Sequence, residues 1–423
     1  MNWIKPIFFA SQCQAHSIRT LFVAALIFFN LPVFVCADEV KRPSRVIYNS
    51  DGVNMFIDVV PPMTPADLYS YVDEVADTQV TTFFMDPQYC MPMLYPGEVT
   101  EMIGSDMTDE QWAEVMRVAP EPDKKGSIER ALANLRGLVD AGHDPVRLVV
   151  ERAKAKGMEV FITFRLNEIH DVHVDDTLLV SRFWRAHPQW RVGKEGDEIQ
   201  PKFISIIGGR ADYKVSPVVA SWFPGALNFA VPEVRALRLA ELREVCERFP
   251  IDGIDLDFQR FPIYFPQDEG PEHIDTMTGW MREVRAMARE VGEQRGRPLL
   301  VSTRVLATPE QNRSIGLDPT AWANEGLVDF LVVSHYLRND FPLPIGEFRK
   351  LVPDSMPLYG SIEVEKNSDS FRRIAARLWK DGADGILLFN FFTTRHTRNT
   401  EPPFELLNEL GDPSTIKPVD PED

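Results

Sequence analysis

The stretch from Phe249 to Pro262, FPIDGIDLDFQRFP, decides how the rest of the chain is read. Ile251, Ile254, Leu256 and Phe258 predict a buried strand. Side chains alternate along a strand, so Asp255, Asp257 and Gln259 share one face. Unpaired buried charge is expensive, and two carboxylates on one buried face need a reason to be there. The stretch therefore marks a candidate site as well as a strand.

Strand and helix alternate on both sides of it. Upstream, short apolar runs predict strands at Arg45 to Asn49 (RVIYN), Val80 to Met85 (VTTFFM) and Met158 to Phe164 (MEVFITF). Downstream they recur at Leu299 to Arg304 (LLVSTR), Val328 to Ser334 (VDFLVVS), Pro357 to Ile362 (PLYGSI) and Gly385 to Phe389 (GILLF). Helical spacing separates them. The apolar stripe Ile274, Met277, Trp280, Met281, Val284, Met287, Ala288, Val291 is the clearest case, and Pro232 suits the first turn of a helix running to Phe249.

Eight strands alternating with helices predict a single (β/α)8 barrel, an α/β fold, spanning 38–411. Two long βα insertions interrupt it, at about 87–143 and 165–230, and a Pro-rich acidic tail at 412–423 is expected to be loose. An open doubly wound sheet is the competing architecture, but no Gly-rich phosphate loop follows the first strand. The strand ends carry a second signal. They finish on Asn49, Asp86, Arg165 with Asn167, Asp257 with Gln259, Arg304, His335, Glu363 and Asn390. In a barrel these C-terminal ends converge on one face, where active sites of this fold lie.

Composition narrows the setting. A chain of 423 residues with 44% hydrophobic and 26% charged residues is globular in character. Lys5 and Arg19 precede the apolar run LFVAALIFFNLPVFVCA, which ends in Val35-Cys36-Ala37 before Asp38. That pattern predicts a secretory signal cleaved after Ala37 and a secreted or periplasmic protein, since Asn30 and Pro32 leave the run short for a membrane span. Cleavage removes two positive charges and no acid, taking the net charge from −18 to −20. Such a charge argues against a nucleic-acid partner, though local arginines could still hold an anionic sugar. The two cysteines left, Cys90 and Cys246, fall at opposite ends of the barrel and are expected to be free thiols.

Several runs carry a resemblance. Asp252-Gly253-Ile254-Asp255-Leu256-Asp257, the run Phe164-Arg165-Leu166-Asn167-Glu168-Ile169-His170-Asp171, His187-Pro188-Gln189-Trp190 and Asn228-Phe229-Ala230 resemble secreted bacterial glycoside-hydrolase-like barrels. The resemblance runs from about Arg45 to Phe392 and implies a TIM barrel acting on carbohydrate. The acidic strand is also similar to the D-G-x-D-x-D-x-E strand of family-18 chitinases, with Gln259 where that family has its acid. A neutral amide is no proton donor for this work, so that mechanism does not carry over.

Glycosidase chemistry needs two carboxyl groups flanking the scissile bond, one a proton donor and one ionised. Asp257 on the fourth strand and Glu363 after the seventh are the expected pair, and retaining barrel glycosidases, which the chain resembles in outline, place carboxylates on those strands. The sequence leaves open which of them is the acid. Burial beside Tyr359 or Phe389 would raise a pKa and Arg260 or Arg304 nearby would lower one, so that Arg260 beside Asp257 would make Asp257 the ionised partner and Glu363 the acid. Arg165, Asn167, His170, Asn228, Asp255, Gln259, Arg260, Tyr264, Arg304, His335, Tyr336 and Asn390 are the expected substrate-binding residues, with Asp255 read foremost as a structural acid inside the barrel. Trp184, Trp190, Trp222, Tyr264 and Phe265 offer rings for sugar stacking or for local core packing.

The reading is thus a glycoside hydrolase using no cofactor. Two rivals remain open at this stage. One is a non-catalytic carbohydrate-binding barrel, suggested by Gln259. The other is a metal-dependent hydrolase using His170, Asp171 and His173, whose spacing is not that of a helical metal motif.

Overall fold

Strands β1 (Arg45–Ser50), β2 (Thr82–Met85), β3 (Glu159–Arg165), β4 (Gly253–Asp257), β5 (Leu300–Leu306), β6 (Phe330–Ser334), β7 (Leu358–Ile362) and β8 (Gly385–Leu388) close into a barrel in chain order. Every neighbouring pair is parallel, including β8 with β1. The computed structural model describes residues 42–419 except 175, 176, 364, 366, 398 and 399; the leader expected at 1–37 lies outside them. The (β/α)8 architecture expected from the strand count is the one observed.

Alternation along the strands builds two cores. One set of side chains packs outward against the helices. The other fills the barrel with Ile47, Phe84, Phe161, Phe330, Val332, Tyr359, Leu387 and Phe389. Phe84 stacks on Phe161, Phe161 leans on Phe330, and Phe330 meets Tyr359 edge-on, with ring centroids 5.1–5.5 Å apart. Gly253 makes room for this layer: a Cβ there would lie 2.2 Å from a carbon of the Phe161 ring. The glycine of the Asp252-Gly253 pair is therefore a packing requirement of the barrel.

Its neighbour Asp252 works at the opposite end from the polar strand ends. It accepts from the Val160 amide at 2.9 Å, from Lys154 Nζ at 2.7 and 2.8 Å, and from Arg297. Asp329 before β6 does the same with the Val301 amide (2.7 Å) and Arg285 (2.8 Å), and Asp384 before β8 with the Leu358 amide (2.9 Å) and Arg349. Each even strand from β4 onward is thus entered through an aspartate that ties down the odd strand before it. Arg45 closes the same floor, donating to Glu159 at 2.7 Å and to the Tyr359 hydroxyl at 2.8 Å.

The insertions hold more helix than their sequence suggests. Asp109–Val118 and Ile128–Asp140 are both helices of the first insertion. The apolar stripe of Ile128–Asp140 is interrupted by Arg130 and Asn134, both buried. Arg130 donates to the carbonyls of Asp58, Ala119 and Glu121, and Asn134 to those of Phe56 and Val59, so polar residues here do core work. The second insertion contains the short helices Arg182–Ala186, Pro201–Gly208 and Pro217–Trp222. Residues 411–419 fold back on the barrel through Gly411 N on Gln79 Oε1 (2.7 Å) and Lys417 Nζ on Glu409 (2.6 Å). Cys90 and Cys246 are free thiols.

Gly253→Ala is expected to lose about 3 kcal/mol of stability through overpacking against Phe161. Chemical denaturation checks this, and an unchanged midpoint would remove Gly253 from the packing argument.

Candidate functional site

Register places the charged residues of the mouth side by side. Arg165 on β3 lies opposite Asp257 on β4, and Asp257 opposite Arg304 on β5. All three face the barrel interior by the strand alternation that also buries Phe161, and Glu363 follows β7 in the same phase as Tyr359.

Arg304 joins the expected catalytic pair. Its Nη1 lies 3.1 and 3.3 Å from the two Asp257 oxygens, and its Nη2 2.7 Å from Glu363 Oε1. The guanidinium sits 3.8 Å above the Phe389 ring. Arg304, Asp257 and Glu363 are 1%, 2% and 5% exposed, so water screens this network little. Asn339 fixes the backbone of Glu363, accepting from its N–H at 2.8 Å and donating to its carbonyl at 3.1 Å. Burial pushes the Glu363 carboxyl up to about 7, although Arg304 and Arg260 pull against it.

A second network adjoins the first. Arg165 places Nε 2.8 Å from Asp86, Nη1 3.2 Å from Glu168, and Nη2 on Asp51. Glu168 also bonds His170 Nδ1. His170 Nε2 lies 3.2 Å from Arg260 Nη2, which can only donate, so Nε2 is the acceptor and the ring proton belongs on Nδ1, toward Glu168. Burial opposes the charge on Glu168, but His170, Arg165 and Arg260 together outweigh it and hold the carboxyl well below its usual range. Burial raises Asp86 well above the usual range even with Arg165 beside it.

The expected binding residues divide. Arg165 is committed to three carboxylates and has no guanidinium edge left for a sugar hydroxyl. Asn167, 1% exposed, accepts from the Leu227 amide and donates to the carbonyls of Leu227 and Ile263, clamping two loops together. Gln259 is fully buried and donates to the carbonyls of Val305 (2.5 Å) and Ser334 (2.9 Å). Asp255 lies deeper in the barrel, held by Ser302 Oγ (2.7 Å) and Thr163 Oγ1 (2.8 Å); burial and the Asp257 charge push it up to about 7 against those two hydroxyls. Arg165, Asn167 and Asp255 are structural in this arrangement, because their polar atoms already have protein partners, and so is the Gln259 amide nitrogen, although Gln259 Oε1 has no hydrogen-bond partner among the described residues.

Tyr264 and Phe265 are also corrected. Tyr264 is buried between Phe229 and Phe258, and Phe265 stacks on His273, so neither ring offers a face for stacking a sugar. Asn228 accepts from the Ala230 amide and turns the chain into the helix Pro232–Arg248. His335 is held between the Pro342 carbonyl (3.1 Å) and Arg338 (3.2 Å); burial and then Arg338 lower it to about 4, so it is neutral at pH 7. Arg260 bonds His170 and not Asp257, so the charge expected beside Asp257 comes from Arg304. His170, Arg260 and Asn390 remain half-buried at the mouth, and the buried Tyr336 hydroxyl has no hydrogen-bond partner among the described residues.

The metal reading changes as well. His173 Nδ1 accepts from Trp222 Nε1 at 2.9 Å and does not join His170. Cys90, Glu168 and His170 do bring ligand atoms within 4.8 Å of one another. Arg165 and Arg260 bind the same carboxylate and imidazole, which sets two cations against a third. Sequence reading missed Asp51, which carries no periodic signal, and Asn339, whose contact with Glu363 spans two loops. Glu168 sat within a noted run without a role.

Neither a protein-family model nor a curated protein sequence matches the chain. Among solved structures, the PgaB (BpsB) glycoside hydrolase domain from Bordetella bronchiseptica aligns with a TM-score of 0.52 and 10% identity, over 87% of this chain and 99% of that one. An α-amylase from Malbranchea cinnamomea aligns at 0.45 and 11%, over 88% and 74%. An α-L-fucosidase isoenzyme 2 from Paenibacillus thiaminolyticus aligns at 0.44 and 12%, over 82% of this chain and 46% of its own. At 10% identity the likeness to the Bordetella domain is one of fold.

Asp255→Asn tests the barrel-interior assignment through pH. A carboxyl raised in the folded state costs stability as pH climbs from its unfolded value near 4 through about 7. The variant should therefore gain on the parent between pH 5 and pH 8, by at most about 3 kcal/mol. Paired thermal melts at the two pH values read the difference, and a pH-independent gap would contradict the assignment. Arg304→Met, leaving two buried carboxylates unpaired, should cost about 3–5 kcal/mol at pH 8 and less at pH 5.

Proposed function

We propose that this protein is a glycoside hydrolase that cleaves a poly- or oligosaccharide at the C-terminal mouth of its barrel, and that residues 1–37 export it. The observation that carries the reading is the buried pair Asp257 and Glu363 joined by one guanidinium, with Glu363 raised to about 7. A carboxyl near 7 is still substantially protonated at neutral pH and can give its proton to a departing glycosidic oxygen.

In this proposal Glu363 is the acid and Asp257 the nucleophile or general base. Arg304 holds the two in register and spreads the charge that moves between them. Asn339 positions Glu363 through its backbone, and Asp255 supports β4 from below. The TIM-barrel fold shared with glycoside hydrolases and the run of strand-end polar residues point the same way. The rival with an observation in its favour is a carbohydrate-binding barrel, since Gln259 is spent on backbone carbonyls and Arg304 occupies both carboxylates.

Reducing-end release from a panel of neutral, uronate-containing and sulfated polysaccharides separates the two. The parent is expected to cleave one of them, with Asp257→Asn and Glu363→Gln each lowering the rate about 1,000-fold or more while retaining cooperative melts. The rate should fall as pH rises through about 7, because the acid acts only when protonated. Binding without turnover would favour the binding barrel, and loss of activity with chelator would favour a metal-dependent hydrolase.

A further inference from the structure

A cavity of 590 Å³ lies within the second insertion, walled by residues between Val172 and Gly225. Among its described lining residues are Arg185, Arg191 and His173, against the one acid Glu195. This is unusual in a chain of net charge −18. Arg185 is already engaged, with Asp106 at 3.0 Å and the Thr177 carbonyl at 2.5 Å. Arg191 is not.

The Arg191 guanidinium lies 3.3 Å from the centre of the Trp184 ring, and its Nη2 donates to the Trp184 carbonyl at 3.0 Å. Its Nε is shielded from water and has no hydrogen-bond partner. No carboxylate among the described residues pairs with it; Glu195 acts only at a distance. Burial accordingly pulls its pKa below the ordinary arginine value. A half-buried cation, fixed by stacking and without a carboxylate partner among the described residues, is placed to receive an incoming anion on the cavity side.

Position adds the second argument. His173, on the cavity wall, accepts from Trp222 Nε1 at 2.9 Å, and the Trp222 ring lies 5.0 Å from His170 at the barrel mouth. One indole therefore separates the cavity from the charged mouth, a short step for a saccharide chain. The indole of Trp184 is itself held by the Gly225 carbonyl at 2.7 Å, so the platform under Arg191 is rigid.

We infer that this cavity is a subsite for an acidic sugar unit, whose oxyanion, a uronate carboxylate or a sulfate ester, is bound by Arg191. The inference rests on the carbohydrate-active reading above and adds to it the charge class of the substrate. A guanidinium offers two parallel N–H donors to either oxyanion, so geometry admits both.

The test is binding to the full chain carrying Glu363→Gln, which suppresses turnover, measured by calorimetry with matched probes. One pair is tetragalacturonate and its methyl ester; the other is a sulfated carrageenan tetrasaccharide and its desulfated form. At least one anionic probe is expected to bind tenfold or more tightly than its neutral mate, with the advantage shrinking as salt rises. Which pair shows it tells carboxylate from sulfate. Arg191→Gln should bring that ratio within twofold. So should Ser221→Asp, which puts a competing carboxylate on the cavity wall and leaves the Arg191 stack in place.

Equal binding within both pairs, no binding of either anionic probe, or a preference that survives both substitutions would overturn the inference. Preferential binding with no cleavage of any probe or panel polysaccharide by the unmodified chain would uphold the subsite and sink the hydrolase proposal. Cleavage of a neutral polysaccharide with no anionic preference would do the reverse.

Discussion

Two carboxylates inside a closed barrel can be tolerated only if a cation is buried with them, and Arg304 is that cation. It reaches Asp257 with one terminal nitrogen and Glu363 with the other, and Phe389 covers its plane. The geometry needs neighbouring strands in the right register and a β7 that ends with Glu363 in the inward phase. Lysine could not take this place, because a single ammonium lacks the fork that spans two acceptors. The adjoining Arg165 solves the same problem for Asp51, Asp86 and Glu168, so the mouth is built as paired charge throughout.

The other end of the barrel is organised for a different purpose. Asp252, Asp329 and Asp384 each accept a backbone amide from the preceding odd strand, and basic side chains neutralise them. These aspartates lie at strand starts, where this fold places its stability, and the buried carboxyl groups of the mouth lie at strand ends. The run Asp252-Gly253-Ile254-Asp255-Leu256-Asp257 crosses the whole barrel within a few residues. Asp252 ties the floor, Gly253 admits Phe161, Asp255 sits in the polar interior and Asp257 reaches the mouth. A motif that reads as one acidic signal is three different environments.

The division explains what could be read in advance. Strand positions and the barrel were legible because apolar runs of four to seven residues alternate with helical stripes, and both periodicities follow from local backbone geometry. The convergence of strand ends was legible for the same reason. Helix Ile128–Asp140 was not, because Arg130 and Asn134 break its stripe and are satisfied only by carbonyls distant in sequence. Asn167, Gln259 and Tyr264 have residue types that suit sugar binding, yet their polar groups or rings are taken up by backbone and core partners that no local pattern reveals.

By itself, then, the sequence determined the eight strands, the barrel closure and the set of side chains that face the mouth, since these depend on periodicity and on which face a residue occupies. Only the tertiary structure decided which of those side chains are spent and which are free. That outcome depends on pairings across strands and loops far apart in the chain: Arg304 with Asp257 and Glu363, Arg260 with His170 in place of Asp257, Asn339 with the backbone of Glu363. Burial then set the protonation of Glu363, and burial is a property of the packed molecule and not of any residue read alone.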